Sequence, residues 1–209
     1  MLKVILFDWD GTCHNSISKI IHCYEYTIKT LGYVPDWENK KRHLGEPIDV
    51  FAKSACPENP TGYWDVYMKK YMSLPEAPLY EGTKEALLKL KKYFILSLVT
   101  GKPKVNTYSC LKNVGVEDVF DYIVCPEDCP LPKPDPAPLK MALNNYNIEP
   151  REAVYIGDAV NDIRASKNAG VSVIGVTWGG LNREEMEGES PDYIADTWQE
   201  VIDICLNLK

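Results

Sequence analysis

The residues that could do chemistry come first in the chain, in Lys3-Val4-Ile5-Leu6-Phe7-Asp8-Trp9-Asp10-Gly11-Thr12. An apolar run ends abruptly in two carboxylates one residue apart, which packing alone does not explain. Carboxylates this close repel by roughly 4 kcal/mol at an effective dielectric of 20. They call for a positive partner, and hard oxygen ligands point to Mg²⁺. Three later stretches add complementary groups. Thr100-Gly101-Lys102-Pro103 offers a hydroxyl and backbone N–H groups where a helix opens, a setting for phosphate. Lys133 stands in Pro130-Leu131-Pro132-Lys133-Pro134-Asp135-Pro136-Ala137-Pro138, where alternate prolines fix φ and stiffen the presentation of one ammonium. Gly157-Asp158-Ala159-Val160-Asn161-Asp162 sets two carboxylates four apart, on one face of a helix start. Asp158 can share a metal with Asp8; Asp162 could ligate directly, act through water, or only favour the helix N-terminus. Each stretch also has a plain reading: an Asp-Gly surface turn, an N-cap threonine, an exposed proline turn.

The elements around these residues argue for convergence. Val4 to Phe7 reads as a strand buried on both faces, as in a parallel sheet covered by helices. Asn15 or Ser16 is placed to cap a helix whose apolar face carries Ile17, Ile20, Ile21, Tyr24, Ile28 and Leu31, with Gly32 at its end. From there to Pro78 the chain reads as short helices with a small core from Trp37, Phe51, Tyr63, Trp64, Tyr67, Met68, Tyr71 and Met72. Helices and strands then alternate: helix 83–92, strand 94–99, helix 104–113, strand 122–125, helix 135–147 with Asp135 as N-cap and Pro136 first, strand 153–156, helix 160–169, strand 171–176, a short strand at 193–194 and helix 197–208. This rhythm predicts an α/β fold, a Rossmann-like parallel sheet flanked by helices, with a small α-helical cap. The core would be 1–13 and 79–209, and the cap 14–78. Asp8, Asp10, Thr100, Lys133 and Asp158 all follow strands, so they would meet at one end of the sheet.

Composition narrows the partners. The chain has 209 residues, 45% of them hydrophobic, and a net charge of −7 with no Lys/Arg run. That speaks against nucleic acid or an anionic membrane as a partner. With no transmembrane-length run or signal peptide, and seven cysteines without scaffold spacing, the expectation is a cytoplasmic protein with reduced thiols. Cys125 and Cys129 lack a second Cys/His pair, so they do not predict zinc. His14, His22 and His43 are scattered and predict no metal cluster. Trp9 is expected to pack away from the site, because strand side chains alternate.

Taken together, Asp8-Trp9-Asp10-Gly11-Thr12, Thr100-Gly101, Lys133-Pro134 and Gly157-Asp158…Asp162 resemble, in order, the four motifs of the haloacid dehalogenase superfamily. The helical insert, Val176-Thr177-Trp178-Gly179-Gly180 and Pro191-Asp192-Tyr193-Ile194 resemble its phosphoglycolate phosphatase-like branch. The resemblance implies a Mg²⁺-dependent phosphohydrolase acting on a small phosphorylated metabolite. Asp8 would be the nucleophile and form an aspartyl-phosphate. Asp10 would be acid and then base. Thr100, Gly101, Lys102 and Lys133 would bind the phosphoryl group. Asp8, the Asp10 backbone carbonyl and Asp158 would hold the metal, with Asp162 in support. Asp10 itself separates phosphoryl transfer from dehalogenation, whose halide leaving group needs no proton. The chain has Asn15 where the family often has Asp.

Four rivals stand beside this reading. A β-phosphoglucomutase-type mutase needs a cap histidine near position 20, where this chain has Ile20, with His22 two positions further on. A pyrophosphatase or nucleotidase shares the core chemistry and differs in the cap. A phosphonate hydrolase needs a reactive cap lysine, and neither Lys53 nor Lys69 is singled out. A non-catalytic binding protein would be expected to have lost a catalytic residue, and none is lost. Arg42, His43, Gly45 and Glu46 could touch the substrate, while Lys40, Lys41 and Arg42 also read as a solvated face.

Overall fold

The structure, a computed structural model, describes residues 1–33, 45–129 and 131–209. Trp37, Lys40, Lys41, Arg42, His43 and Pro130 lie outside the described residues. Six strands form one parallel sheet: β1 Val4–Phe7, β2 Ile95–Val99, β3 Tyr122–Val124, β4 Ala153–Gly157, β5 Ser172–Val176 and β6 Tyr193–Ala195, in the order β3-β2-β1-β4-β5-β6. Strands added from β1 to β3 go one way and those from β4 to β6 the other. Strand order therefore reverses between β1 and β4, which leaves a crevice beyond their carboxyl ends.

Side chains alternate along β1 and divide the core between the two faces. Ile5 and Phe7 join Leu96, Leu98, Ile156 and Ile174 beneath α4 Thr83–Leu90, α5 Lys104–Asn113 and α9 Trp198–Asn207. Val4 and Leu6 join Val99, Tyr155 and Val173 beneath α6 Ala137–Tyr146, α7 Val160–Ala169 and α8 Arg183–Glu189. Between β1 and β2 a helical insert precedes α4: α1 Ile17–Thr30, α2 Ile48–Ala55 and α3 Pro60–Ser73. It has its own core of Cys23, Tyr24, Ile28, Phe51, Tyr63, Tyr67 and Tyr71.

Several local expectations are corrected. Ser16 stands at the N-cap of α1 but makes no side-chain cap bond; its hydroxyl is used elsewhere. Helix α6 begins at Ala137, one residue later than expected, with Pro136 at the N-cap position, and the Asp135 carboxylate accepts from the Ala137 N–H at 2.8 Å. Met72 is exposed and adds nothing to the insert's core. Helix α8 has no apolar periodicity long enough to announce it; it rests on a reciprocal cap between Asn182 and Glu185 and on buried Met186. Trp9 does join the core, stacked on His14 with ring centroids 5.4 Å apart.

Ile156 has no exposed surface and lies on β4 between β1 and β5. Ile156→Ala is expected to destabilise by about 2–5 kcal/mol, through lost burial and the cavity left behind. Urea unfolding measures this; a loss below about 1 kcal/mol would be inconsistent with a position so enclosed.

Candidate active site

Asp8 is the first residue beyond β1, and its N–H donates to Ile156 O of β4 at 2.9 Å. The carboxylate is thereby fixed at the mouth of the crevice, only 2% exposed. Lys133 reaches in from the loop after β3. Its Nζ donates to Asp8 Oδ1 at 2.8 Å, Asp162 Oδ1 at 2.6 Å and the Tyr155 hydroxyl at 2.8 Å. Tyr155 in turn donates to Asp162 Oδ1 at 3.0 Å. Burial opposes the Lys133 charge, but Asp162 and Asp8 outweigh it and hold the ammonium's pKa above its ordinary value. Among the described residues no donor engages Asp8 Oδ2, and Asp8 lines a cavity between the core and the insert.

Asp158, one residue past β4, is held by different donors. Thr12 Oγ1 donates to its Oδ1 at 2.8 Å, and the Gly180 N–H donates to its Oδ2 at 2.6 Å. Two glycines make room for it. Gly11, at φ +89°, has no space for a Cβ, which would lie 2.1 Å from Asp158 Oδ2. A Cβ on Gly179 would meet Gly11 O at 2.3 Å and Asp158 Oδ2 at 2.4 Å. Asp162 is engaged on both oxygens: Oδ1 by Lys133 and Tyr155, Oδ2 by the N–H groups of Asp158 and Ala159.

The carboxylate oxygens of Asp8, Asp158 and Asp162 gather within 4.8 Å of one another. Burial, then Asp162 and Asp158, raise the Asp8 carboxyl well above the usual range despite Lys133. Burial, then Asp162, push Asp158 up to about 7. Three buried carboxylates with one ammonium leave two negative charges uncompensated. A divalent cation with oxygen ligands fits this donor set and this charge.

Asp10 sits apart from that cluster, in a second network. Lys102 Nζ donates to both of its oxygens at 3.0 Å, Ser16 Oγ donates to Oδ1 at 2.6 Å, and His14 Nδ1 lies 3.1 Å from Oδ1. Burial alone would raise its pKa, but Lys102, His14 and Ser16 overcome that and hold it well below the carboxylate range. The other ring nitrogen of His14, Nε2, lies 2.9 Å from Ala77 O, so both nitrogens face acceptors. Against burial, the contacts with Asp10 and Cys110 push the ring up to about 9, and His14 is an imidazolium at neutral pH.

The cavity beside Asp8 and Asp10 is lined on the core side by Thr100, Gly101 and Lys102, and on the insert side by Ile20, Tyr24, Ile48, Tyr67 and Tyr71. Lys102 crosses between the two sides, donating to the Tyr71 hydroxyl at 2.9 Å. A Cβ on Gly101 would lie 2.6 Å from Gly45 O, so the insert approaches the core closely there. The expected phosphate setting is changed in one respect. The first N–H of α5, on Lys104, is taken by Glu127 at 2.9 Å, and the Lys102 N–H by Thr100 Oγ1 at 3.1 Å. Neither is free for an anion.

Asp8, Asp10, Thr100, Gly101, Lys102, Lys133, Asp158 and Asp162 thus meet at one end of the sheet. Sequence reasoning missed His14, Ser16 and Tyr155. Tyr155 had a signal: a tyrosine inside a buried strand needs a partner for its hydroxyl. His14 is not scattered but bonded to Asp10, a contact that four residues of separation in a loop do not reveal.

Among known proteins, the chain matches the haloacid dehalogenase-like hydrolases over residues 5–176. It is 28% identical to a phosphoglycolate phosphatase of Vibrio vulnificus, over 98% of this chain and 96% of that one. It is 32% identical to the pyrophosphatase PpaX of Bacillus velezensis, over 97% and 96%. Among solved structures, a haloacid dehalogenase-like family hydrolase from Streptococcus pneumoniae aligns with a TM-score of 0.82 at 27% identity, covering 97% of this chain and 98% of that one.

Gly179→Ala is expected to destabilise the protein by about 1–3 kcal/mol, because its Cβ meets backbone and a buried carboxylate. Gly188→Ala, in a helix with open space around it, serves as the control and should be neutral or gain up to about 1 kcal/mol. Denaturant melts of both variants decide it; equal stabilities would show that Asp158 is not tightly cradled.

Proposed function

The chain belongs to the haloacid dehalogenase-like hydrolase family, and within it we propose a Mg²⁺-dependent phosphatase that cleaves a small organic phosphate monoester through a phosphorylated Asp8. One observation carries the reading. Asp8 lines the cavity with one oxygen that no donor engages among the described residues, beside a buried cluster of three carboxylates that holds a single ammonium. The frame is a core of residues 1–13 and 79–209 that does the chemistry, and a cap of 14–78 that chooses the ester.

Asp8 Oδ2 attacks phosphorus, and the P–O bond to the leaving alcohol breaks. Asp10 gives that oxygen its proton, then removes one from the water that hydrolyses the acyl phosphate and regenerates Asp8. As the structure stands Asp10 is a bare carboxylate held by three donors, so it gains a proton only when Lys102 turns to the substrate's anionic oxygens. Thr100 lines the cavity and would meet the transferring oxygens, while Lys133, bonded to Asp8, would offset the charge that develops there. Asp8, the Asp10 carbonyl and Asp158 would hold Mg²⁺, which offsets charge between Asp8 and the phosphate. Asp162 acts indirectly: with both oxygens engaged, it orients Lys133 and the loop after β4.

The cap side of the cavity favours an organic ester over pyrophosphate. Beyond Lys102 it offers Ile20, Tyr24, Ile48, Tyr67 and Met68 with the acidic Glu46, and no second cation among the described residues. Ile20 also occupies the wall where a mutase needs a histidine, which supports hydrolysis over phosphoryl transfer between sugars.

Wild type should hydrolyse an aryl phosphate with Mg²⁺ and stop with chelator. Asp8→Asn should lose at least about a thousandfold in kcat while folding normally. Retained turnover in Asp8→Asn would remove Asp8 from the mechanism, and faster cleavage of pyrophosphate than of any organic ester would reject the substrate class. A second expectation follows from the raised Asp8 and Asp158 carboxyls. Raised folded-state values mean stability that is present at low pH and lost as pH climbs through about 7. Bound Mg²⁺ supplies the missing charge, so the rise in Tm on adding Mg²⁺ should be larger at about pH 8 than at about pH 5.5. An equal rise at both would place the metal elsewhere.

A further inference from the structure

His14 lies where the chain leaves the core and where it returns. The two linkers pair there: the Asn15 N–H donates to Pro78 O at 2.9 Å, the Tyr80 N–H to Cys13 O at 3.1 Å, and His14 bridges Leu79. Around His14 Nε2 stand two further groups that the phosphatase chemistry does not use. Cys110 Sγ, on core helix α5, is 3.4 Å away, and Glu76 Oε1, on the returning linker, is also 3.4 Å away.

We propose that His14 Nε2, Cys110 Sγ and Glu76 Oε1 form a Zn²⁺ site that ties both linkers to the core, with water in the fourth position. Bond lengths of about 2.0–2.1 Å to nitrogen and oxygen and 2.3 Å to sulfur, at tetrahedral angles, put N···S near 3.6 Å and N···O near 3.4 Å. The observed 3.4 Å separations match both. All three ligand atoms already lie within 4.8 Å of one another. The remaining S···O approach falls to Glu76, the exposed member of the three, which also gives the ion a way in from solvent.

The ring's other nitrogen supports the assignment. Nδ1 faces the Asp10 carboxylate at 3.1 Å, the carboxylate–histidine pairing that fixes a metal-binding ring in place. On binding, the Ala77 carbonyl, which now stands 2.9 Å from Nε2, swings out of the ion's place, and the Nε2 and thiol protons pass to solvent. A thiolate and an imidazole select zinc, whereas the all-carboxylate cluster at Asp8 suits magnesium, so the chain carries two chemically distinct sites. An ion joining residues 14, 76 and 110 staples the hinge. Its effect on turnover rests on the phosphatase reading; its binding does not.

The test uses Co²⁺ as a spectroscopic probe and Zn²⁺ titration, both in saturating Mg²⁺. Wild type and Asp158→Asn should show a thiolate-to-cobalt charge-transfer band in the near ultraviolet. Cys110→Ala should lose it and bind Zn²⁺ at least about tenfold more weakly. Zn²⁺ should slow aryl phosphate hydrolysis by wild type and spare that of Cys110→Ala. No band in wild type, a band abolished by Asp158→Asn, or unchanged Zn²⁺ affinity in Cys110→Ala would each overturn the proposal. Should Cys110→Ala fail to fold, Glu76→Gln at the surface takes its place, and an unweakened Zn²⁺ affinity there is equally decisive.

Discussion

The constraint on which the rest depends is electrostatic: three carboxylates are buried at the reversal point of a parallel sheet with one ammonium among them. Such an arrangement is costly for a fold left to itself. It persists because the surrounding structure over-determines it. The Asp158 oxygens accept from a hydroxyl and a backbone N–H, and Asp162 accepts from four donors. The glycines at 11 and 179 follow from the same constraint, since any side chain there would displace Asp158.

The core was legible because its strands are short apolar runs with polar residues just beyond their ends. From Val4–Phe7 through Tyr193–Ala195, the alternation of strand and helix specifies a parallel sheet, and each motif's place after a strand brings the groups to one edge. Helix starts were less legible where proline runs obscure them. Asp135-Pro136 reads as a cap and first turn, yet the helix begins one residue later.

The site divides in the same way. Asp8, Lys133 and Asp158 announce themselves by residue type against an apolar background. His14, Ser16 and Tyr155 do not, because what matters in them is a contact made by folding. Ser16 looks like a helix cap and instead bonds Asp10; Tyr155 looks like core and instead orients Lys133. The insert's share of the cavity is spread across α1, α2 and α3, and Tyr71 of α3 meets Lys102 only in three dimensions.

That meeting has a consequence for how the two parts of the chain are joined. Lys102 is gripped from one side by Tyr71 of the insert and from the other by Asp10 of the core. One ammonium is thus a rivet through both parts: the charge that balances Asp10 also fixes a tyrosine of the insert, so neither part can shift at that point without disturbing the other's electrostatics.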